Sequence, residues 1–188
     1  MIGAIVLAAG AGSRMGCDKA TLRTSDGMSF VDAIEATLAA AGISDTRVVV
    51  AASAGAQKAN EVVNPDPSRG MLSSIHCGLR ALDAEVVAAL IWPVDHPLVA
   101  YATVGAIVEA FNDAASPIVV PTYGGRRGHP VLFSASTFDE LLHADPAEGA
   151  RAVVHAHDDR LELAVDDPGV LADIDTPESY ARHIRTPL

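Results

Sequence analysis

Gly10, Gly12 and Gly16 fall in one short stretch with Arg14 and Lys19, directly after the apolar run Ile5-Val6-Leu7-Ala8-Ala9. Small residues let backbone N–H groups approach an anion closely, and the two cations stand beside them. That combination is chemistry for a polyphosphate, a triphosphate above all. Two familiar anion loops do not fit. A dinucleotide fingerprint needs GxGxxG and then an acidic residue ending the second strand, whereas the spacing here is Gly10-x-Gly12-x-x-x-Gly16 and the second apolar run ends in Ala51-Ala52-Ser53. A P-loop needs GxxxxGK[ST], and Gly16 is followed by Cys17-Asp18-Lys19. A plain strand-to-helix turn would not require Gly, Gly, Arg, Gly and Lys in one string.

Further candidates lie downstream. Asp95 sits in Pro93-Val94-Asp95-His96-Pro97, a turn stiffened by two prolines, where an Asx-type turn is its alternative role. Asp173 and Asp175 flank Ile174 just before Thr176-Pro177-Glu178, where their charge also suits a helix start. Gly70 to Ser74 opens a helical segment. Its small residues can meet a base edge, with Asn64 nearby, and Ser73 or Ser74 can equally act as a cap. Gly124-Gly125-Arg126-Arg127-Gly128-His129 reads as a loop that grips a phosphate or as a solvated hairpin with two free arginines. His76, His143, His155, His157 and His183 show no metal-ligand spacing.

The elements that must position these residues alternate. Ile2 to Ala8, Arg47 to Ala51, Glu61 to Asn64, Val86 to Trp92, Ile118 to Val120, Val131 to Phe133 and Leu161 to Val165 read as strands. Between them, apolar residues recur at helical spacing: Phe30, Val31, Ile34 and Leu38; then Leu72, Ile75, Leu79 and Leu82; then Val104, Ile107, Val108 and Phe111. Phe138 to Leu142 and Ala147 to His155 suggest two more helices. Gly42 is a stop signal, and Thr176 with Pro177 is an N-cap followed by N1. Continuous apolar strands alternating with helices predict an α/β fold in three α/β/α layers around a mostly parallel sheet. Ligands on such folds sit beyond the carboxyl ends of the strands, so the Gly10 loop and the Asp95 turn should converge.

Composition narrows the class. The 188 residues are expected to form one domain, 1–188, with a 49% hydrophobic fraction for its core. A net charge of −11 and only 4% aromatics argue against nucleic acid and an anionic membrane surface. Lysine is used twice, as Lys19 and Lys58, against eleven arginines, so a lysine inside the Gly-rich stretch stands out. An acidic protein that binds a polyphosphate must offset its charge locally, and Mg2+ with carboxylate ligands is the expected device. Cys17 and Cys77 give no disulfide framework, which suits a cytoplasmic protein. The opening apolar run has no basic segment ahead of it, unlike a signal peptide.

Leu7-Ala8-Ala9-Gly10-x-Gly12-x-Arg14-Met15-Gly16 with Lys19 resembles the signature of nucleotidyltransferases with a GT-A-like Rossmann fold. That group includes molybdenum cofactor cytidylyl- and guanylyltransferases, methylerythritol-phosphate cytidylyltransferase and sugar-nucleotide pyrophosphorylases. Gly70-Met71-Leu72-Ser73-Ser74-Ile75-x-x-Gly78-Leu79 is similar to the base-recognition segment of the molybdenum cofactor branch, and Asp95-His96-Pro97-Leu98 to its Asp-Gln-Pro-Leu. Gly128-His129-Pro130-Val131-Leu132-Phe133 and Asp173-Ile174-Asp175-Thr176-Pro177-Glu178 resemble its later motifs, so the likeness spans residues 2 to 180. Two positions depart from it: Asp18 stands where many cytidylyl members have Pro, and His96 replaces Gln.

The resemblance implies a Mg2+-dependent transferase acting on a nucleoside triphosphate and a phosphorylated small-molecule acceptor. CMP transfer from CTP to molybdopterin-type molybdenum cofactor comes first, since Leu-Ala-Ala-Gly and Leu98 lean toward cytidylyl transfer. GMP transfer, or a sugar- or polyol-phosphate acceptor, is the second reading, and a cofactor-binding chaperone without catalysis the third. The implied roles follow the motifs. Leu7, Ala8, Ala9, Gly10, Gly12 and Ser13 cradle the triphosphate. Arg14 pairs with the leaving pyrophosphate, and Lys19 stabilises charge at the α-phosphate. Asn64, Gly70, Ser73 and Ser74 meet the base. Asp95 binds the metal with Asp175, or with Asp173 in its place. His96, Pro97, Arg127, Gly128 and His129 face the acceptor. A molybdoenzyme that receives the product is the implied partner.

Overall fold

The apolar run after Met1 forms β1 (Ile2–Ala8), buried from Gly3 onward. The computed structural model describes residues 1–10 and 22–185 of the chain. After β1 come α1 (Phe30–Ala40), β2 (Asp45–Ala51), β3 (Glu61–Asn64), α2 (Met71–Ala81) and β4 (Ala88–Pro93). The second half contains α3 (Tyr101–Asp113), β5 (Ile118–Tyr123), β6 (Arg126–Arg127), β7 (Val131–Ser134), α4 (Phe138–His143), α5 (Ala150–Ala156), β8 (Leu161–Ala164) and α6 (Pro177–Tyr180).

The strands form one sheet in the order β3-β2-β1-β4-β7-β5-β6, with β8 on β5. β1 pairs in parallel with β2 and β4, β2 with β3, and β5 with β8. β7 and β6 run antiparallel to their neighbours. The sheet is therefore mixed, with its parallel half built on β1 and β4. β1 is flanked by β2 on one side and β4 on the other, so the strand order reverses there. A crevice at the carboxyl ends of β1 and β4 is where such folds take ligands.

Side-chain alternation along each strand splits the core in two. Ala4, Val6, Val48, Val50, Leu90 and Trp92 point to the face covered by α1 and α3. Ile5, Leu7, Val49, Ala89 and Ile91 point to the other face, against α2, α4 and α5. The expected three layers follow directly. Local signals act where the sequence placed them. Ser29 caps α1 by accepting from the Asp32 N–H at 3.1 Å, and Gly42 follows the helix with φ of +80°. Thr176 and Ser179 form a reciprocal capping box around Pro177.

Some boundaries differ from the sequence pattern. β4 begins at Ala88 rather than Val86. The helix expected from Ala147 begins at Ala150, because Asp145 ties the intervening loop through the N–H groups of Ala147 and Gly149, both at 2.8 Å. β8 alternates between half-buried and exposed residues, since it lies at the sheet margin rather than in its middle. The Gly/Arg loop holds a two-residue strand, β6, after a turn at Gly124 and Gly125, both with positive φ.

Gly78 of α2 lies directly against Ile5 of β1, and a Cβ there would overlap the isoleucine side chain. Gly78→Ala should lower stability by about 1–3 kcal/mol through overpacking. In an Ile5→Ala background the same change should cost much less. Urea unfolding of the four chains in this double-mutant cycle measures the coupling; a coupling near zero would contradict the contact.

Candidate active site

The carboxyl end of β1 carries Leu7, Ala8 and Ala9, all buried, and then exposed Gly10. Leu7 is in register with Pro93 of β4, and the N–H of Val94 donates to the Leu7 carbonyl at 3.2 Å. The start of the Gly-rich loop and the Asp95 turn are thus neighbours, as the topology argument requires. Gly12, Ser13, Arg14 and Lys19, with Cys17 and Asp18, lie outside the described residues.

The Asp95 turn is held from several sides. The His96 N–H donates to the Pro93 carbonyl at 3.2 Å, and Trp92 Nε1 donates to the His96 carbonyl at 2.9 Å. His96 Nδ1 lies 3.1 Å from Asp95 Oδ1, which fixes the carboxylate direction. The Ile174 N–H donates to the Asp95 carbonyl at 2.8 Å. That single bond brings Asp173-Ile174-Asp175 beside the turn from almost eighty positions away in the chain. Ile174 is fully buried, Asp175 half-buried and Asp173 exposed. Pro97 is buried in the same turn. Among the described residues no group of three or more His, Cys, Asp or Glu is arranged to hold a metal.

Gly70, with φ of +88°, is the N-cap of α2, and no side chain caps that helix. The expected capping role of Ser73 and Ser74 is therefore not the one observed. Instead, buried Asn64 donates from Nδ2 to Ser73 Oγ at 2.8 Å and to Ser74 Oγ at 2.9 Å, while its Oδ1 accepts from the Asp66 N–H at 3.0 Å. Asn64 thus uses its amide to set the two serines, joining the end of β3 to the first turn of α2.

At the Gly128-His129 corner, the Gly128 N–H donates to the Pro121 carbonyl and the His129 N–H to the Val170 carbonyl, at 2.8 and 2.9 Å. Gly128 presses against the Val170 backbone so closely that no Cβ would fit. The His129 and His96 rings meet edge-on with centroids 4.8 Å apart. His129 Nδ1 is buried with no hydrogen-bond partner among the described residues. Burial pushes the His129 imidazole pKa down to about 4; nearby His96 lowers it further, and Asp95 acts in the opposite sense. The hairpin does not carry two free arginines. Arg127 donates to Glu162 Oε1 from Nε and Nη2 at 2.8 and 2.5 Å, and this pairing holds the Glu162 carboxyl below its ordinary range.

A cavity of about 610 Å³ opens beside this turn. It runs from Met71 and Leu72 of α2 past Pro93 and His129 to Arg151 and His155 of α5. Sequence reasoning missed this last wall, including Glu148. The one signal was the spacing of Glu148, Arg151 and His155 over a helical pattern, with nothing to show what it faced. His76 Nε2 meets the Leu141 carbonyl at 2.9 Å, tying α2 to α4. Burial pulls the His157 pKa down, but Asp159 and Glu140 outweigh it and raise it overall.

Residues 4–161 match the family model of the MobA-like NTP transferase domain. No curated protein matches the chain. Among solved structures it is similar to Rv0371c from Mycobacterium tuberculosis, at 28% identity over 100% of this chain and 99% of that one, with a TM-score of 0.85. The Rv0371c complex with manganese aligns at 26% identity over 99% of both chains, with a TM-score of 0.79. A nucleotidyl transferase from Methanothermobacter thermautotrophicus aligns at 24% identity over 97% and 95% of the two chains (TM-score 0.78). A molybdopterin-guanine dinucleotide biosynthesis protein A from Archaeoglobus fulgidus aligns at 18% over 98% and 97% (TM-score 0.73). These last two share the fold.

The buried His129 links pH to stability. The unfolded imidazole titrates near 6.5 and the folded one near 4, so between these values the unfolded chain binds the extra proton. The His129 contribution is complete above about pH 6.5 and is lost as pH falls toward 4, by about 3 kcal/mol in all. His129→Asn should remove most of this dependence. Urea midpoints at about pH 7 and about pH 5 test it; an equally steep fall in the variant would rule out His129 as the source.

Proposed function

The chain belongs to the family of MobA-like NTP transferase domains, and from that premise we propose that it transfers CMP from CTP to a molybdopterin-type molybdenum cofactor, releasing pyrophosphate. The observation that carries the site assignment is the hydrogen bond from Ile174 to Asp95, which sets two carboxylate-bearing segments together beside the end of β1. The cytidylyl preference rests on the Leu7-Ala8-Ala9-Gly10 opening and on Leu98.

In the reaction an acceptor phosphate oxygen forms a bond to the α-phosphorus while the bond to the β-phosphate bridge breaks. The protein positions these groups and offsets their charge. Backbone N–H groups from Ala9 through Ser13 hold the β- and γ-phosphates, Arg14 pairs with the departing pyrophosphate, and Lys19 faces the α-phosphate. Gly70, Ser73 and Ser74 meet the base, with Asn64 fixing the two hydroxyls. His96, Pro97, Gly128 and His129 shape the acceptor side. Arg127 takes part there through its Glu162-bound guanidinium at the cavity wall.

Hard oxygen donors suit a divalent ion, and Asp95 is only partly exposed, with one carboxylate oxygen oriented by His96. Asp95 and Asp175 would hold Mg2+, which when bound neutralises triphosphate charge. Asp175 is the better candidate over Asp173 because it is the more shielded. The manganese complex of Rv0371c supports divalent-metal use in this fold.

Pyrophosphate release with Mg2+, each nucleoside triphosphate in turn and molybdopterin-type cofactor tests the proposal. Turnover is expected with CTP. GTP turnover without CTP turnover would overturn the cytidylyl assignment, and tight cofactor binding with no pyrophosphate from any triphosphate would indicate a chaperone. Asp95→Asn should lower turnover at least about 100-fold while CTP still binds weakly. Asp175→Asn should approach that loss and Asp173→Asn should not; the reverse order would exchange the two residues.

A further inference from the structure

The cavity beside the Asp95 turn lies over β4, β7 and β5. α2 separates it from the base side: Met71 and Leu72 line the cavity, while Ser73 and Ser74 turn to Asn64. Its walls are mostly apolar, built from Leu72, Ile75, Ile91, Val131, Phe133 and Val154. Its volume of about 610 Å³ falls within the usual range of small-molecule sites. Polar groups gather at the α5 rim, where Glu148 and Arg151 are exposed and His155 follows one turn on. The Glu148 and Arg151 side chains have no hydrogen-bond or ion-pair partner among the described residues.

This distribution selects an occupant. A sugar or polyol would leave hydroxyls unpaired against the apolar walls, which is costly. A flat ring fills such a space without that cost and presents its polar edge to the rim. Glu148 can only accept when ionised, and Arg151 can only donate, through a planar fork. Together they match a ring edge with N–H donors beside a carbonyl acceptor, as in an aminopyrimidinone.

We propose that Glu148 and Arg151 read the donor–acceptor edge of the acceptor's ring, the acceptor being a ring-bearing phosphomonoester whose phosphate reaches the Asp95 end of β4 at Pro93. This rests on the nucleotidyl-transfer reading for the identity of the occupant, but the cavity can be tested separately. Neither residue belongs to the nucleotide side.

The probes are 6-hydroxymethylpterin, followed by its own fluorescence, and ribitol 5-phosphate as competitor. The native chain should bind the pterin saturably, and ribitol 5-phosphate should not displace it. Arg151→Ala and Glu148→Gln should each weaken pterin binding by about tenfold or more, with CTP binding unchanged as the check on folding. Arg151→Lys should recover little, because a point charge lacks the fork. Asp95→Asn should leave pterin binding intact. Absent pterin binding, displacement by ribitol 5-phosphate, or variants that bind as the native chain does would each overturn the proposal. Intact, Arg151-dependent pterin binding in a chain that releases no pyrophosphate would uphold the cavity assignment and sink the transferase reading alone.

Discussion

The parallel pairing of β1 with β4 is the constraint on which the site depends. Two strands far apart in the chain, running the same way, deliver their following loops to the same edge of the sheet. The Leu7–Pro93 register and the bond from Val94 to Leu7 fix that delivery to within one residue. A slip by one position would turn Ile5 and Leu7 toward α1 and α3, and Val6 and Ala8 toward α2. Both cores therefore oppose the slip. The core that stabilises the fold is also what aims the two loops at each other.

A second layer of constraint joins the Gly128-His129 corner to this frame. Asp167 accepts from the N–H of Ala100 at 2.9 Å, from Thr103 Oγ1 at 2.7 Å and from the N–H of Gly169 at 2.8 Å. It thereby clamps the turn 168–171 onto the segment after Asp95. Gly169 lies against the Leu98 backbone and Val170 against Gly128, with no room for a Cβ at either glycine. The Asp95 turn, this short turn and the Gly128-His129 corner thus form one backbone-to-backbone stack. Small residues at 128 and 169 are a steric demand of that stack.

This explains which parts were legible in the sequence. β1, α1 and β3 announced themselves through apolar runs and helical periods, and Ser29, Gly42 and Thr176 acted as local punctuation because caps and turns need only their neighbours. The Gly10 loop and the Asp95 turn could be paired from topology alone. The exchange of roles around Asn64 could not. Asn64, Ser73 and Ser74 look alike in the sequence as candidate base contacts; that Asn64 also sets the two serines is a contact between β3 and α2. The Glu162 partner of Arg127 was hidden for the same reason, since it lies 35 positions away on β8, across β5. Glu148 and Arg151 had a helical spacing but no visible target, since a cavity is a property of the assembled walls.

The described cations sharpen the electrostatic problem set by a charge of −11. Lys58 is bound between Asp32 and Glu35 at 2.8 and 2.9 Å, which raises its pKa well above the ordinary lysine value. Arg127 is bound to Glu162, and Arg47 to Asp45 at 2.6 Å. These pairs cancel charge where they stand. A triphosphate placed at the carboxyl ends of β1 and β4, as the proposed function requires, must draw its neutralisation from groups at the loop itself and from a divalent ion. Affinity for the nucleotide would then hinge on a few local donors, not on the surface as a whole. Such a site suffers little from the protein's acidity beyond a Debye length of about 8 Å at physiological salt. The same acidity also disfavours longer polyanions, which need a broad basic footprint. Under the proposed function, the acidic surface thus favours a small phosphate ligand over a polymeric one.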